Sequence, residues 1–91
     1  MKNWTMEFRT ASVADIKKLP PTTSKRIGIK LRWFAELPNP IAHATKLVGH
    51  GQAGEYRYRV GDYRIIFDAD EANKIMVVHA VKHRKEVYKN H

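Results

Sequence analysis

Apolar and polar residues alternate at the start of the chain, which is the pattern of a half-buried strand. In residues 3–9 the apolar positions are Trp4, Met6 and Phe8, and polar residues stand between them. A period of two with aromatic residues predicts a β-strand that turns one face to the core. Trp4 and Phe8 are therefore expected in the interior.

A first helix is predicted next, because apolar residues recur at helical spacing from Val13 to Leu19. The hydroxyl of Ser12 can cap the start of this helix. Pro20 and Pro21 end it, since proline cannot continue the hydrogen-bonding pattern of a helix.

A second helix is expected from there to about Glu36, with Thr22 or Thr23 as its cap. Its apolar positions follow the i, i+4, i+7 rule of one helix face. Gly28 in its interior costs up to about 1 kcal/mol relative to alanine. The two helices form a hairpin that can cover one face of a sheet. The apolar face of the second helix consists of Ile27, Leu31 and Phe34.

The pattern changes again in residues 38–54, where two prolines and three glycines predict a long loop. Three strand signals follow, at residues 55–60, 63–70 and 74–82. Gly61 and Asp62 join the first pair of strands, with glycine at the position that a type II′ turn requires. A polar connection of hairpin length, residues 71–73, joins the second pair.

Together these elements predict one α+β domain spanning residues 1–91. It consists of an N-terminal strand, a helical hairpin and a three-stranded antiparallel meander. A chain of 91 residues leaves little room for a second domain. The expected core positions are Trp4, Phe8, Ile16, Leu31, Phe34, Tyr58, Ile65, Phe67 and Val77.

Strand alternation places three arginines on one face of the meander. Arg57 and Arg59 share a face of their strand, and a two-residue turn puts Arg59 directly opposite Arg64. Like charges facing across strands are destabilising by a few tenths to about 1 kcal/mol. Because the guanidinium fork matches phosphate oxygens, the three arginines predict an anion site. The alternative is a solvated basic face that only keeps the sheet soluble.

The charge of the whole chain favours a polyanionic partner. It contains 17 Lys+Arg against 9 Asp+Glu, which gives a net charge of +8. Nucleic acid is the first candidate for so basic a domain, although an acidic protein or an anionic membrane would satisfy the same charge. No stretch approaches the roughly 18 consecutive apolar residues of a membrane span, and the N-terminus lacks the apolar core of a signal peptide. With no cysteine in the chain, we expect a cytoplasmic protein without a membrane partner.

The end of the chain holds a second cluster of candidate residues. Lys82, Arg84 and Lys85 are cations there, and His83 is of the residue type that exchanges a proton near neutrality without perturbation. Tyr88 could stack on a base, or exchange a proton where nearby arginines stabilise the phenolate. The alternative is a charged and frayed C-terminus. The five histidines show no zinc-type spacing, so no metal site is expected.

The chain from Lys46 to Tyr88 resembles the RelE/ParE toxin superfamily. The motifs that carry the resemblance are KLVG at 46–49, EYRYRVGDYRIIF at 55–67 and VVHAVKHRKEVY at 77–88. The N-terminal strand and the helical hairpin fit the same βααβββ architecture, so the similarity covers almost the whole chain.

This resemblance implies a toxin of a type II toxin–antitoxin system, which a cognate antitoxin protein neutralises. RelE-like members cleave mRNA in the ribosomal A site, where contacts to 16S rRNA are expected. They use no metal or other cofactor, and the ribose 2′-OH attacks the adjacent phosphate. ParE-like members share the fold but inhibit DNA gyrase by protein binding, without nuclease activity.

The resemblance also implies which residues carry the activity. Family members often have lysines where this chain has Arg57 and Arg59, and arginine is a poor proton acceptor. The general base is therefore open between His83 and Tyr88, of which His83 is favoured. The arginines would stabilise the developing charge of the phosphate, and Arg84 would clamp it. The matched catalytic positions are Arg57, Arg59, Arg64, His83, Arg84 and Tyr88, and the substrate-binding positions are Lys46, Lys82 and Lys85.

Overall fold

The computed structural model describes residues 3–46 and 56–89, and of residues 87–89 it describes the backbone alone. In chain order the elements are β1 (Thr5–Phe8), α1 (Thr10–Lys17), α2 (Pro21–Glu36), a 3-10 helix (Pro40–His43), β2 (Thr45–Lys46), β3 (Tyr56–Val60), β4 (Tyr63–Asp70), β5 (Ile75–His83) and α3 (Arg84–Lys89). The strands form one sheet in the order β1-β5-β4-β3-β2. β1 runs parallel to β5, and the other pairs are antiparallel. The predicted α+β fold is confirmed, and β2, the 3-10 helix and α3 are additions to it.

The first two helices begin before the residues that were expected to cap them. The N-cap of α1 is Arg9, and the Ser12 hydroxyl donates a hydrogen bond to the Arg9 carbonyl oxygen at 2.7 Å from inside the helix. α2 begins at Pro21, which suits the first helical position because an N–H there would have no partner within the helix. The prediction of Ser12, Thr22 or Thr23 as a cap is therefore wrong.

An apolar layer lies between α2 and one face of the sheet. Ile27, Leu31 and Phe34 are buried, as the helical spacing predicts. The ring of Phe34 stacks on Tyr58 at a centroid distance of 3.8 Å and meets Phe67 edge-on at 5.9 Å. This packing leaves the opposite face of β3 and β4 free of the apolar core. The other buried apolar residues are Trp4, Val60, Ile65, Met76, Val78 and Val81.

Two of the predicted core residues are not in the core. Phe8 is 42% exposed, because β1 forms an edge of the sheet and Phe8 borders a surface groove beside α2. Val77 is half-buried, since it pairs with Asp68 on the face away from α2, whereas the adjacent Val78 is fully buried. The apolar run of β5 fills both sets of alternate positions, so its pattern did not reveal which set faces inward.

The hairpin of β3 and β4 has the predicted register, with Arg59 directly opposite Arg64. Gly61 has a φ of 58°, whereas the φ of Asp62 is not positive, and these signs fit a type II′ turn. A Cβ on Gly61 would lie 2.9 Å from Nη2 of Arg26. The positive φ therefore favours glycine at this turn, whereas the terminal guanidinium of Arg26 could move away from a Cβ.

The loop predicted over residues 38–54 contains two short elements, the 3-10 helix and β2. Thr45 in β2 lies opposite Arg57 in β3, and Lys46 lies opposite Tyr56. Residues 47–55 lie outside the described part of the chain. The observed elements bring the end of the 3-10 helix next to the edge of the sheet that carries the arginines.

Candidate functional site

The three arginines of the meander line one cavity of about 310 Å³. Alternation along β3 and β4 puts their side chains on the sheet face opposite the apolar core. The residues that line the cavity are His43, Thr45, Arg57, Tyr58, Arg59 and Arg64. This described lining contains no carboxylate, so the cavity is cationic.

Arg64 lies deepest among these cations, with only 6% of its surface exposed. Arg59 faces it on one side and Lys82 on the other. Its Nη1 is buried and has no hydrogen-bond partner among the described residues. Such an unsatisfied donor costs about 1–3 kcal/mol. An anion in the cavity would accept this hydrogen bond and offset the repulsion between the three cations.

The other two arginines are more accessible. Arg57 is half-buried beside Thr45, and Arg59 is exposed. Nε of Arg59 donates a hydrogen bond to the carbonyl oxygen of Gly61 at 3.2 Å, while its Nη groups have no partner in the described structure. Both guanidinium groups therefore have free donors for an anion that enters the cavity.

Lys82 shares the face of Arg64, but part of its charge is compensated by α1. Its Nζ lies 3.5 Å from Oδ1 of Asp15. The other carboxylate oxygen of Asp15 accepts a hydrogen bond from the backbone N–H of Val81 at 2.9 Å. This N–H lies beyond the last residue pair of β1 and β5. The Asp15 carboxylate therefore accepts the hydrogen bond that a neighbouring strand would otherwise accept.

His83 lies on the sheet face opposite to Arg64, since it pairs with Tyr63 and meets its ring edge-on at 5.2 Å. Nδ1 of His83 accepts a hydrogen bond from the backbone N–H of Lys85 at 3.2 Å. The backbone N–H of His83 donates a hydrogen bond to Oε1 of Glu86 at 3.3 Å. This reciprocal pair has the form of a capping box at the start of α3.

The capping box restricts the chemistry of His83. An accepting Nδ1 carries no proton, so the neutral ring carries its proton on Nε2. In this arrangement His83 has no free nitrogen with which to accept a proton from a substrate.

The start of α3 is also attached to the β3–β4 turn. The backbone N–H of Arg84 donates to the Asp62 carbonyl oxygen at 2.7 Å, and Nε of Arg84 lies 3.8 Å from Oδ1 of Asp62. Lys85 is exposed on the same helix. The side chain of Tyr88 lies outside the described part of the structure.

The structure thus brings Arg57, Arg59, Arg64 and Lys82 onto one face of the sheet. It places Lys46 on the other face of the sheet, because Lys46 pairs with Tyr56. The cavity also contains two residues that the sequence did not single out, His43 and Thr45. No pattern pointed to them, since they belong to the two short elements within the predicted loop, which are too short to show periodicity.

The family model described as the ParE toxin of type II toxin–antitoxin systems matches residues 6–88. The chain belongs to the RelE/ParE toxin superfamily. The toxin is 27% identical to Toxin RelG of Mycobacterium tuberculosis over 86 residues, which are 94% of this chain and 97% of that protein.

Two solved complexes contain similar folds. The toxin–antitoxin complex RelBE2 of Mycobacterium tuberculosis matches with a TM-score of 0.70 and 27% identity, covering 91% of the toxin and 100% of the matched chain. The RelE–RelB complex of Pyrococcus horikoshii matches with a TM-score of 0.72 and 25% identity. The match covers 91% of the toxin and 97% of the matched chain. The superfamily and the fold that the sequence indicated are both confirmed.

The toxin has a second surface feature, an apolar groove of about 370 Å³ between β1 and α2. β1 is an edge strand, so its outer backbone groups have no strand partner in the described sheet. Beside the groove, α2 exposes Ile29 (58%) and Trp33 (49%), with Nζ of Lys30 5.3 Å from the ring centroid of Trp33. The groove is lined by Met6, Phe8, Gly28, Leu31, Arg32 and Ala35.

Within residues 3–46 and 56–89, no helix has the length and apolar character needed to cross a membrane. The same residues contain no group of three or more histidine, aspartate or glutamate side chains arranged to hold a metal ion.

Proposed function

We propose that the toxin cleaves mRNA in the ribosomal A site, by attack of a ribose 2′-OH on the adjacent phosphate and without a metal ion. The observation that carries this proposal is the buried Nη1 of Arg64, which has no partner among the described residues. It lies in a cavity that Arg57 and Arg59 also line. Preorganised donors of this kind lower a barrier most where charge develops in the transition state, here on the phosphate oxygens.

The other candidate residues have supporting roles in this proposal. Lys82, next to Arg64, would contact the phosphate beside the one that is cut. Arg84 and Lys85 on α3 and Lys46 at the sheet edge would contact backbone phosphates of mRNA or of 16S rRNA, which adds salt-dependent affinity. Tyr88 would stack on a base next to the cleavage site.

We also propose that an acidic cognate antitoxin binds this toxin. Both solved complexes described above pair a toxin of this fold with its antitoxin. The net charge of +8 favours an acidic partner. The groove between β1 and α2, with the open edge of β1 beside it, fits an amphipathic segment of such a partner.

Primer extension on translating ribosomes tests the cleavage. The parent toxin should produce new 5′ ends within the A-site codon, and Arg64→Met should reduce their rate of appearance by about 100-fold or more. Cleavage at the parent rate by a folded Arg64→Met protein would contradict the role of the cavity.

Inhibition of DNA gyrase is a second candidate function, favoured by the match to the ParE toxin family model. The exposed Ile29 and Trp33 on α2 would suit contact with a protein target. Growth inhibition without mRNA cleavage, together with loss of gyrase supercoiling activity in vitro, would establish this function instead.

A further inference from the structure

The proposed cleavage needs a group that removes the proton of the attacking 2′-OH. The three arginines cannot supply it, because guanidinium stays protonated at any accessible pH. Among the other residues that line the cavity, burial raises the pKa of the Tyr58 hydroxyl, which makes its phenolate scarcer. The hydroxyl of Thr45 is not a base at neutral pH. Only His43 then remains among the described lining residues.

His43 lies at the cavity, and its imidazole is accessible to a substrate there. It ends the 3-10 helix, two residues before Thr45, which pairs with Arg57 across the sheet edge. The residue is exposed, and its imidazole makes no hydrogen bond to the described residues. His83, in contrast, lies on the other sheet face with its Nδ1 engaged by the Lys85 N–H.

We infer that His43 is the general base of the arginine cavity, a role that rests on the proposed mRNA cleavage. An unprotonated ring nitrogen of His43 takes the proton of the 2′-OH while the 2′-oxygen forms a bond to phosphorus. The bond from phosphorus to the 5′-oxygen breaks, and this oxygen leaves with the electron pair and takes a proton from water. The resulting hydroxide recovers the proton from His43. The products are a 2′,3′-cyclic phosphate and a free 5′-OH.

The role is tested by single-turnover cleavage on programmed ribosomes with His43→Ala and His43→Gln. Both should cleave about 100-fold more slowly than the parent or worse, because a positioned base contributes about 10²–10⁴ in rate. Added imidazole should restore at least tenfold of the rate of His43→Ala, a rescue that a purely structural residue would not show. Ribosome binding and thermal stability of both variants should match those of the parent.

His79→Gln is the matched control, since it removes another histidine while glutamine can keep a hydrogen bond to Asp68. Its cleavage rate should lie within about threefold of the parent rate, which corresponds to a difference of less than about 1 kcal/mol in activation free energy. Parent-like cleavage by the two His43 variants, with Arg64→Met inactive, would overturn the role of His43 and leave the proposed function intact. Equal losses in His43→Gln and His79→Gln, or no imidazole rescue of a folded His43→Ala, would also overturn it. A parent toxin that does not cleave mRNA would overturn both.

Discussion

Replacing Arg64 by methionine should make the toxin more stable and inactive at the same time. The substitution removes a buried donor that has no partner in the described structure. Removing it should raise the free energy of unfolding by about 1–3 kcal/mol. It also relieves the repulsion from Arg59 and Lys82, a few tenths of a kcal/mol for each facing pair. Methionine keeps most of the apolar stem, so the repacking cost should stay below about 1.5 kcal/mol. The free energy of unfolding of Arg64→Met should therefore exceed that of the parent by about 1–2 kcal/mol.

Thermal and urea unfolding of the isolated toxin, in buffer free of phosphate and sulfate, measure this gain. For a domain of this size, 1 kcal/mol corresponds to a rise in Tm of about 4–8 °C. Arg59→Met is the matched control, because Arg59 is exposed and bonded to the Gly61 carbonyl oxygen. It should change stability by no more than about 0.5 kcal/mol.

Inorganic phosphate should stabilise the parent more than Arg64→Met, because only the parent keeps the buried Nη1 that has no partner among the described residues. At a tenfold excess over its Kd, a bound anion adds about 1.4 kcal/mol to the free energy of unfolding. An Arg64→Met protein that is less stable than the parent in phosphate-free buffer would refute the reasoning. So would equal stabilisation of both proteins by phosphate.

Three further predictions concern other parts of the toxin. Phe8→Ser should weaken antitoxin binding at least about tenfold in a calorimetric titration, since it removes apolar surface from the groove, and unchanged binding would place the antitoxin elsewhere. Gly61→Ala should lower the free energy of unfolding by about 1–3 kcal/mol in urea, because alanine is strained at a φ of 58°, and a neutral result would contradict the turn geometry. Hydrogen bonds from the Asn73 side chain and backbone hold the pKa of Asp70 below its ordinary value. The resulting stability is present above pH about 4 and lost as the pH falls further. Asn73→Ala should therefore raise the Asp70 pKa in an NMR titration and reduce this acid dependence, and an unchanged pKa would contradict the assignment.

The parts of the fold that could be predicted from the sequence are those that local chemistry determines. The facing of Arg59 and Arg64 follows from strand alternation and a two-residue turn with glycine at its first position. The buried face of α2 follows from helical spacing, because the apolar residues there occupy one stripe.

The parts that could not be predicted depend on contacts between distant segments. The parallel pairing of β1 with β5 joins the two ends of the chain, and it leaves Phe8 at a sheet edge. The two-residue strand β2 is too short to show periodicity, so the sequence pattern could not predict that His43 lies beside the arginines. The face of His83 depends on the register of β5 against β4 and on the start of α3.

The hydrogen bond between the Asp15 carboxylate and the backbone N–H of Val81 covers part of the β5 edge that β1 leaves unpaired. β5 extends past the end of β1, and the exposed backbone of such an overhang is a template for a strand from another molecule. A carboxylate from α1 occupies one donor of this overhang, and its charge lies next to Lys82. An intruding strand would have to displace both interactions before it could pair. One acidic side chain thus occupies a backbone donor that an incoming strand would need, and β1 remains the accessible edge on that side of the described sheet.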